Sequence, residues 1–207
     1  MKINCLEAEE KKISDKVAVI SPGFRATKNE KYLLKIKKEI EKKRISTIIF
    51  TFRMKKITVE SELEDLNAIV NHAEKKYGKI ALVGHSFGGL ISMIYAGNTA
   101  NEKIKALALL SAPAKEETRG RKWVKEIKTE LAIEKARKKI KSIKTPTLII
   151  QGVYDERISK NNGKTLKKMI KKSVLKEFKT DHFYTNEKEL EKIAKKTAAW
   201  LAAKLKQ

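Results

Sequence analysis

Val83-Gly84-His85-Ser86-Phe87-Gly88-Gly89 is the stretch from which the rest of this chain can be read. It stands between an apolar run, Ile80–Val83, that reads as a buried strand, and a small-residue segment, Phe87–Asn98, that reads as a helix. It therefore fits G-x-S-x-G in a strand–turn–helix setting. A turn this sharp holds its serine at strained backbone angles. Side chains two residues before and after it would crowd the turn, so Gly84 and Gly88 are the residues it requires. The following helix begins just past Ser86 and directs its first backbone N–H groups toward the same point. Ser86 is the candidate nucleophile.

Outward from this turn, short apolar runs recur: Val17–Ile20, Thr47–Phe52, Ala106–Leu110, Thr147–Ile150 and Val174–Phe178. They are β-branched or leucine-rich, as strands buried on both faces of a parallel sheet are. Between them lie Lys-rich amphipathic segments. Glu30–Arg44 carries a stripe of Leu33, Leu34, Ile36 and Ile40, and Ser61–Lys76 one of Leu63, Leu66, Ile69, Val70 and Ala73. Asn161–Lys172 and Glu187–Lys206 complete the helices. The alternation predicts an α/β fold with a mostly parallel, doubly wound sheet of about six to seven strands. No repeat or linker appears, so residues 1–207 are read as one domain. The interval 113–144 holds more sequence than a crossover needs. It is read as a small lid or as one long crossover helix.

A serine nucleophile needs a base, and the base an orienting acid. The chain has three histidines. His85 adjoins Ser86, and its side chain points away from the hydroxyl, which suits packing or hydrogen bonding beneath the turn. His72 lies inside a predicted helix. His182, in Thr180-Asp181-His182-Phe183, follows the last strand run, at the carboxyl end where sites of open α/β sheets form. Of the four aspartates, Asp155 follows Thr147–Gly152 in the same manner, whereas Asp15, Asp65 and Asp181 are poorly placed. The order Ser86…Asp155…His182 is that of one known triad arrangement. Glu156 is the fallback acid. Two backbone donors must meet the oxyanion. They are assigned to the N–H of Phe87 and that of Phe24, in Ser21-Pro22-Gly23-Phe24-Arg25.

Composition narrows the setting. With 48 Lys+Arg against 25 Asp+Glu, the 207 residues carry a formal charge of +23. That invites a nucleic-acid reading. Lys outnumbers Arg, however, and the lysines are spread along the chain, so no specific nucleic-acid partner is expected. Lys/Glu richness with two Gln also fits thermophily or genome bias. Apolar runs of about five residues fall far short of the roughly 20 of a membrane span. One cysteine, Cys5, excludes an internal disulfide, and nothing implies a metal or organic cofactor. The N-terminus lacks the apolar stretch of a signal peptide, so a cytoplasmic location is expected.

The loop at Gly23-Phe24, the Gly84–Gly89 turn, the Gly152–Asp155 turn and Asp181-His182-Phe183 together resemble the α/β-hydrolase family over residues 17–205. The chain looks most like small serine esterases of the cinnamoyl/feruloyl esterase type. Pro22-Gly23-Phe24, Thr58–Ile69 (T-V-E-S-E-L-E-D-L-N-A-I) and Gly84–Gly89 match their loop, helix and G-H-S-x-G-G elbow. The resemblance implies Ser86, Asp155 and His182 as triad and Phe24 and Phe87 as oxyanion donors. Three departures stand out. Proline replaces the histidine before Gly23, Phe52–Ile57 lacks a glycine-rich turn, and the interval 112–145 is shorter than the family's lid. Residues 1–16 are left to supply one or two antiparallel strands.

The function implied is a serine hydrolase acting on small carboxylic esters through an acyl-enzyme. Peptidase, amidase or lysophospholipase-like activity on the same triad remains open. So do a non-catalytic binding module and a nucleic-acid-associated basic protein. Arg25, Arg53, Arg157 and Trp123 are possible substrate contacts. Oligomeric state is not readable.

Overall fold

The computed structural model describes residues 1–54, 57–114, 139–159 and 161–206. Among them runs an eight-stranded sheet: β1 (Lys2–Ile3), β2 (Leu6–Lys11), β3 (Lys16–Ser21), β4 (Ser46–Phe50), β5 (Lys79–His85), β6 (Ile104–Leu110), β7 (Thr147–Gly152) and β8 (Ser173–Phe178). The order across the sheet is β1-β2-β4-β3-β5-β6-β7-β8. Strands β3 to β8 are the six apolar runs, and they pair with one another in parallel. The antiparallel strands β1 and β2 close one edge. The strand count passes the expected six to seven because β2, Leu-Glu-Ala-Glu-Glu-Lys, alternates buried and exposed residues and has no apolar run. The additional β1 is two residues long.

Five helices follow the predicted segments: α1 (Lys31–Lys42), α2 (Val59–Glu74), α3 (Phe87–Asn98), α4 (Asn162–Met169) and α5 (Glu187–Lys206). Thr58 starts α2 with a reciprocal capping box to Ser61. Strand side chains alternate between two cores. Val17, Val19, Ile80 and Leu82 face Leu66, Ile69, Leu90 and Leu166 of α2, α3 and α4. Ala18, Ile20, Ala81 and Val83 face Leu33, Ile36, Ile193 and Leu201 of α1 and α5.

The chain leaves β3 for β4 on one side and later returns to place β5 on the other. The carboxyl ends of β3 and β5 therefore flank the point where strand order reverses, the place where an open α/β sheet leaves a crevice. The interval read as a lid or long crossover helix lies largely outside the described residues. Its end is within them, with Ile140 and Ile143 buried in the first core.

Candidate active site

Ser86 sits between β5 and α3 at φ 50°, ψ −118°, a conformation costly for any residue but glycine. The surroundings enforce it. Its N–H donates to the Leu110 carbonyl of β6 (2.8 Å), and its own carbonyl accepts the Leu90 N–H (3.1 Å). A Cβ on Gly84 would come within 2.6 Å of the Gly88 carbonyl carbon and of Gly89 Cα. One on Gly88 would strike the carbonyl oxygens of Ser21 and Pro22. The elbow is thus wedged against the loop that follows β3.

Asp155 and His182 follow β7 and β8. Their loops are tied together by N–H groups of Val153 and Tyr154, which donate to the carbonyls of Phe178 (2.9 Å) and Thr180 (3.1 Å). His182 Nδ1 lies 3.0 and 2.9 Å from the two Asp155 carboxylate oxygens. The two side chains are 3% and 0% exposed. Asp155 Oδ1 also accepts the N–H groups of Arg157 (2.9 Å) and Ile158 (2.7 Å). Burial opposes the charge on Asp155. The hydrogen bonds from His182, Ile158 and Arg157 outweigh it and hold the carboxyl below its usual range. An ionised Asp155 requires the proton on His182 Nδ1, which leaves Nε2 bare to accept one.

Ser86 and His182 open on one pocket of about 60 Å³. Gly23 and Phe24 bound it on one side, Arg157, Ile158 and Phe183 on the other. The Ser86 side chain makes no capping hydrogen bond to the first turn of α3. The rings of Phe24 and Phe87 meet edge to face at 6.0 Å, which brings the loop after β3 against the start of α3. His85 is buried under the pocket and bonded to Tyr32 and to the His182 carbonyl.

The remaining sequence candidates separate. Glu156 accepts the backbone N–H of His182 at 3.4 Å and pairs with the Arg157 guanidinium at 3.5 Å, whereas the imidazole is held by Asp155. Asp181 turns away to Thr185. Arg157 lines the pocket with its guanidinium 4.9 Å from the Phe183 ring centroid. Arg25 lies 5.4 Å from the Phe24 ring centroid and is not among the pocket-lining residues. Arg53 lies apart from this pocket. Its guanidinium pairs with Asp65 and Glu64 and it lines a different, open basin beside α2, because the buried Asp65 carboxylate draws it there. Trp123 lies outside the described residues. Tyr32, Ile158 and Phe183 had no signal in the sequence beyond the stripe of α1 and proximity to Asp155 and His182. Among the described residues there is no cluster of three metal-ligating side chains. No helix there is long and apolar enough to cross a membrane.

The alpha/beta hydrolase fold family matches residues 41–127. No curated protein matches the chain by sequence. Solved structures do match it over their length. The Est1E structure from Butyrivibrio proteoclasticus, with ferulic acid bound, has a TM-score of 0.83 at 18% identity, covering 100% of this chain and 98% of that one. The Pyrococcus furiosus esterase Pf2001 has a TM-score of 0.77 at 19% identity, covering 96% and 87%. A monoacylglycerol lipase from Paleococcus ferrophilus has a TM-score of 0.78 at 17% identity, covering 96% and 98%. With its mostly parallel sheet, its elbow at the strand-order reversal and these likenesses, the chain has the α/β-hydrolase fold.

Proposed function

We propose that this chain is a serine hydrolase that cleaves small carboxylic esters through an acyl-enzyme. One observation carries the reading: a strained serine and an imidazole held by a buried carboxylate open on the same pocket. Ser86 Oγ attacks the ester carbonyl carbon as His182 Nε2 takes its proton. Asp155 holds the imidazole through Nδ1 and stabilises its charged form. The N–H groups of Phe24 and Phe87 receive the oxyanion. The tetrahedral intermediate collapses, the alcohol leaves with the proton from His182, and Ser86 keeps the acyl group. Water, deprotonated by His182, then releases the acid.

A pocket this small suits short acyl groups. The similar structures named as esterases and as a monoacylglycerol lipase support ester chemistry over peptide cleavage. Phenolic substrates are not carried over from Est1E, since Pro22 stands where the feruloyl esterase pattern has histidine. A fluorophosphonate should label Ser86. Ser86→Ala should lower turnover of p-nitrophenyl butyrate by roughly 10⁴-fold or more. Turnover in Ser86→Ala within tenfold of the parent, or labelling at another residue, would sink the assignment.

A further inference from the structure

The base-bearing turn has to hold His182 still while its ring gains and loses a proton. Asp181 ties the turn to Thr185 at 2.8 Å, but the main-chain donors at and just after the histidine make long bonds. The His182 N–H reaches Glu156 at 3.4 Å, and the Tyr184 N–H reaches the Asp181 carbonyl at 3.4 Å. A short contact to the main chain of His182 itself comes from elsewhere in the fold. His85 Nε2 lies 2.9 Å from the His182 carbonyl oxygen, across 97 residues of sequence. A carbonyl can only accept, so Nε2 carries the hydrogen. Nδ1 is then bare and accepts the hydroxyl of Tyr32 from α1 at 3.0 Å. His85 is 1% exposed and directly precedes Ser86. A Cβ on Gly23 would lie 3.2 Å from its Nδ1, so the loop after β3 rests on the same ring.

We propose that His85 is a positioning residue, whose Nε2–H pins the main chain of His182 to the elbow while the Tyr32 hydroxyl selects that tautomer. The proposal rests on reading Ser86 as nucleophile and His182 as base. One ring thereby joins three parts that must stay in register: the elbow, the loop carrying Phe24 and the turn carrying the imidazole. The groups facing it are Tyr32 of α1, Tyr184, Phe183 and His182 of the turn, and, at longer range, Asp155. Burial, then the neighbouring His182, pushes its protonation down to about 3. A neutral ring keeps the donor on Nε2 in place and adds no charge against the imidazolium, whose ring centroid is 4.8 Å away.

The test compares His85→Phe, which keeps a ring but no donor, with His85→Gln, whose amide N–H can reach the same carbonyl. Misplacing the base by a fraction of an ångström should lower kcat of His85→Phe by roughly 30-fold with KM within about threefold. His85→Gln should recover most of that loss, and Tyr32→Phe should lose about three- to tenfold. Thermal unfolding alone would move if the ring only filled space. Equal kcat for His85→Phe and His85→Gln, or kcat of both at the parent level, overturns the proposal. If His85→Phe does not fold, the other two variants still decide. Long-range ¹H–¹⁵N NMR reads the bond without activity, since three histidines are readily assigned. His85 should hold the Nε2–H tautomer from pH 5 to 9, and an Nδ1–H tautomer or a titration in that window overturns the proposal. Absence of ester turnover and of Ser86 labelling in the parent would instead sink the hydrolase reading. The positioning role would fall with it, while the NMR result would still report on the bond.

Discussion

Two histidines in this molecule hold a carboxylate at 2.9 Å, and their surroundings differ. His182 and Asp155 sit on loops at strand carboxyl ends, almost fully buried, beside a strained serine. His72 projects from the last turn of α2 to Glu10 of β2, with side chains 21% and 6% exposed. Glu10 also accepts the Tyr77 hydroxyl (2.7 Å) and the Lys76 ammonium (3.0 Å). Burial resists its charge, but these bonds and that of His72 hold its carboxyl down at about 2. Asp155 is supported instead by the neutral backbone N–H groups of Arg157 and Ile158 and, among the described residues, no ammonium is bonded to it. An ammonium such as Lys76 would compete with imidazolium formation. The basin His72 lines contains no serine, threonine or cysteine among its lining residues. Pair distance alone does not mark a site. The remaining partners of the carboxylate, and a strained serine lining the same pocket as the ring, set the His182 pair apart.

The contrast is most exposed to activity measurements. Asp155→Asn should lower kcat by about 10²- to 10⁴-fold, since the amide no longer favours the right tautomer. Glu10→Gln should leave kcat within twofold of the parent, and equal losses in the two variants would erase the distinction. Stability should reverse the ranking. Glu10→Gln should cost about 1–3 kcal/mol in urea unfolding at pH 7. The folded-state value of Glu10 is lowered. Its contribution is therefore present above pH 4.5 and fades as pH falls toward 2, so parent and variant should converge in acid.

A third buried carboxyl, Glu62, has no imidazole, and its Oε2 has no hydrogen-bond partner. Burial, then the nearby Asp65, raises it to about 9. The sign is opposite to that of Glu10. Its contribution is complete below pH 4.5 and is lost as pH rises toward 9. Glu62→Gln should match the parent near pH 5 and exceed it at pH 9 by about 1 kcal/mol or more. A parallel pair of stability curves would count against the assignment. The smallest effect concerns the pocket wall. Arg157→Ala should raise KM for esters bearing a carboxylate by about two- to fivefold and leave neutral esters unchanged. Equal shifts for both would remove Arg157 from substrate recognition.

The parallel core of the fold, and the three residues proposed to form the site, were readable because their signals are local. Ser86 stands in a glycine-bounded turn after a buried strand, and Asp155 and His182 each follow an apolar run. The scarcity of histidine and aspartate left few rivals. What escaped reading is long-range or amphipathic. β2 alternates charge with burial at a sheet edge and so looks like a loop. The bonds of His85 to His182 and of Glu10 to His72 span 97 and 62 residues, and no spacing rule reaches across them. Arg53 looked like a substrate contact because it follows a strand. The buried acid that claims it, Asp65, is recognisable only once α2 is packed on the sheet.

Asp155 is gripped by the main-chain amides of Arg157 and Ile158, two of the residues that line the pocket. Support and selectivity are thereby separated at the same residues. Mutational drift at 157 and 158 can reshape the wall toward new esters while the acid stays where it is, because any residue with an amide hydrogen supplies the grip. Proline alone is barred by chemistry. That loop is where this scaffold can diversify at least cost.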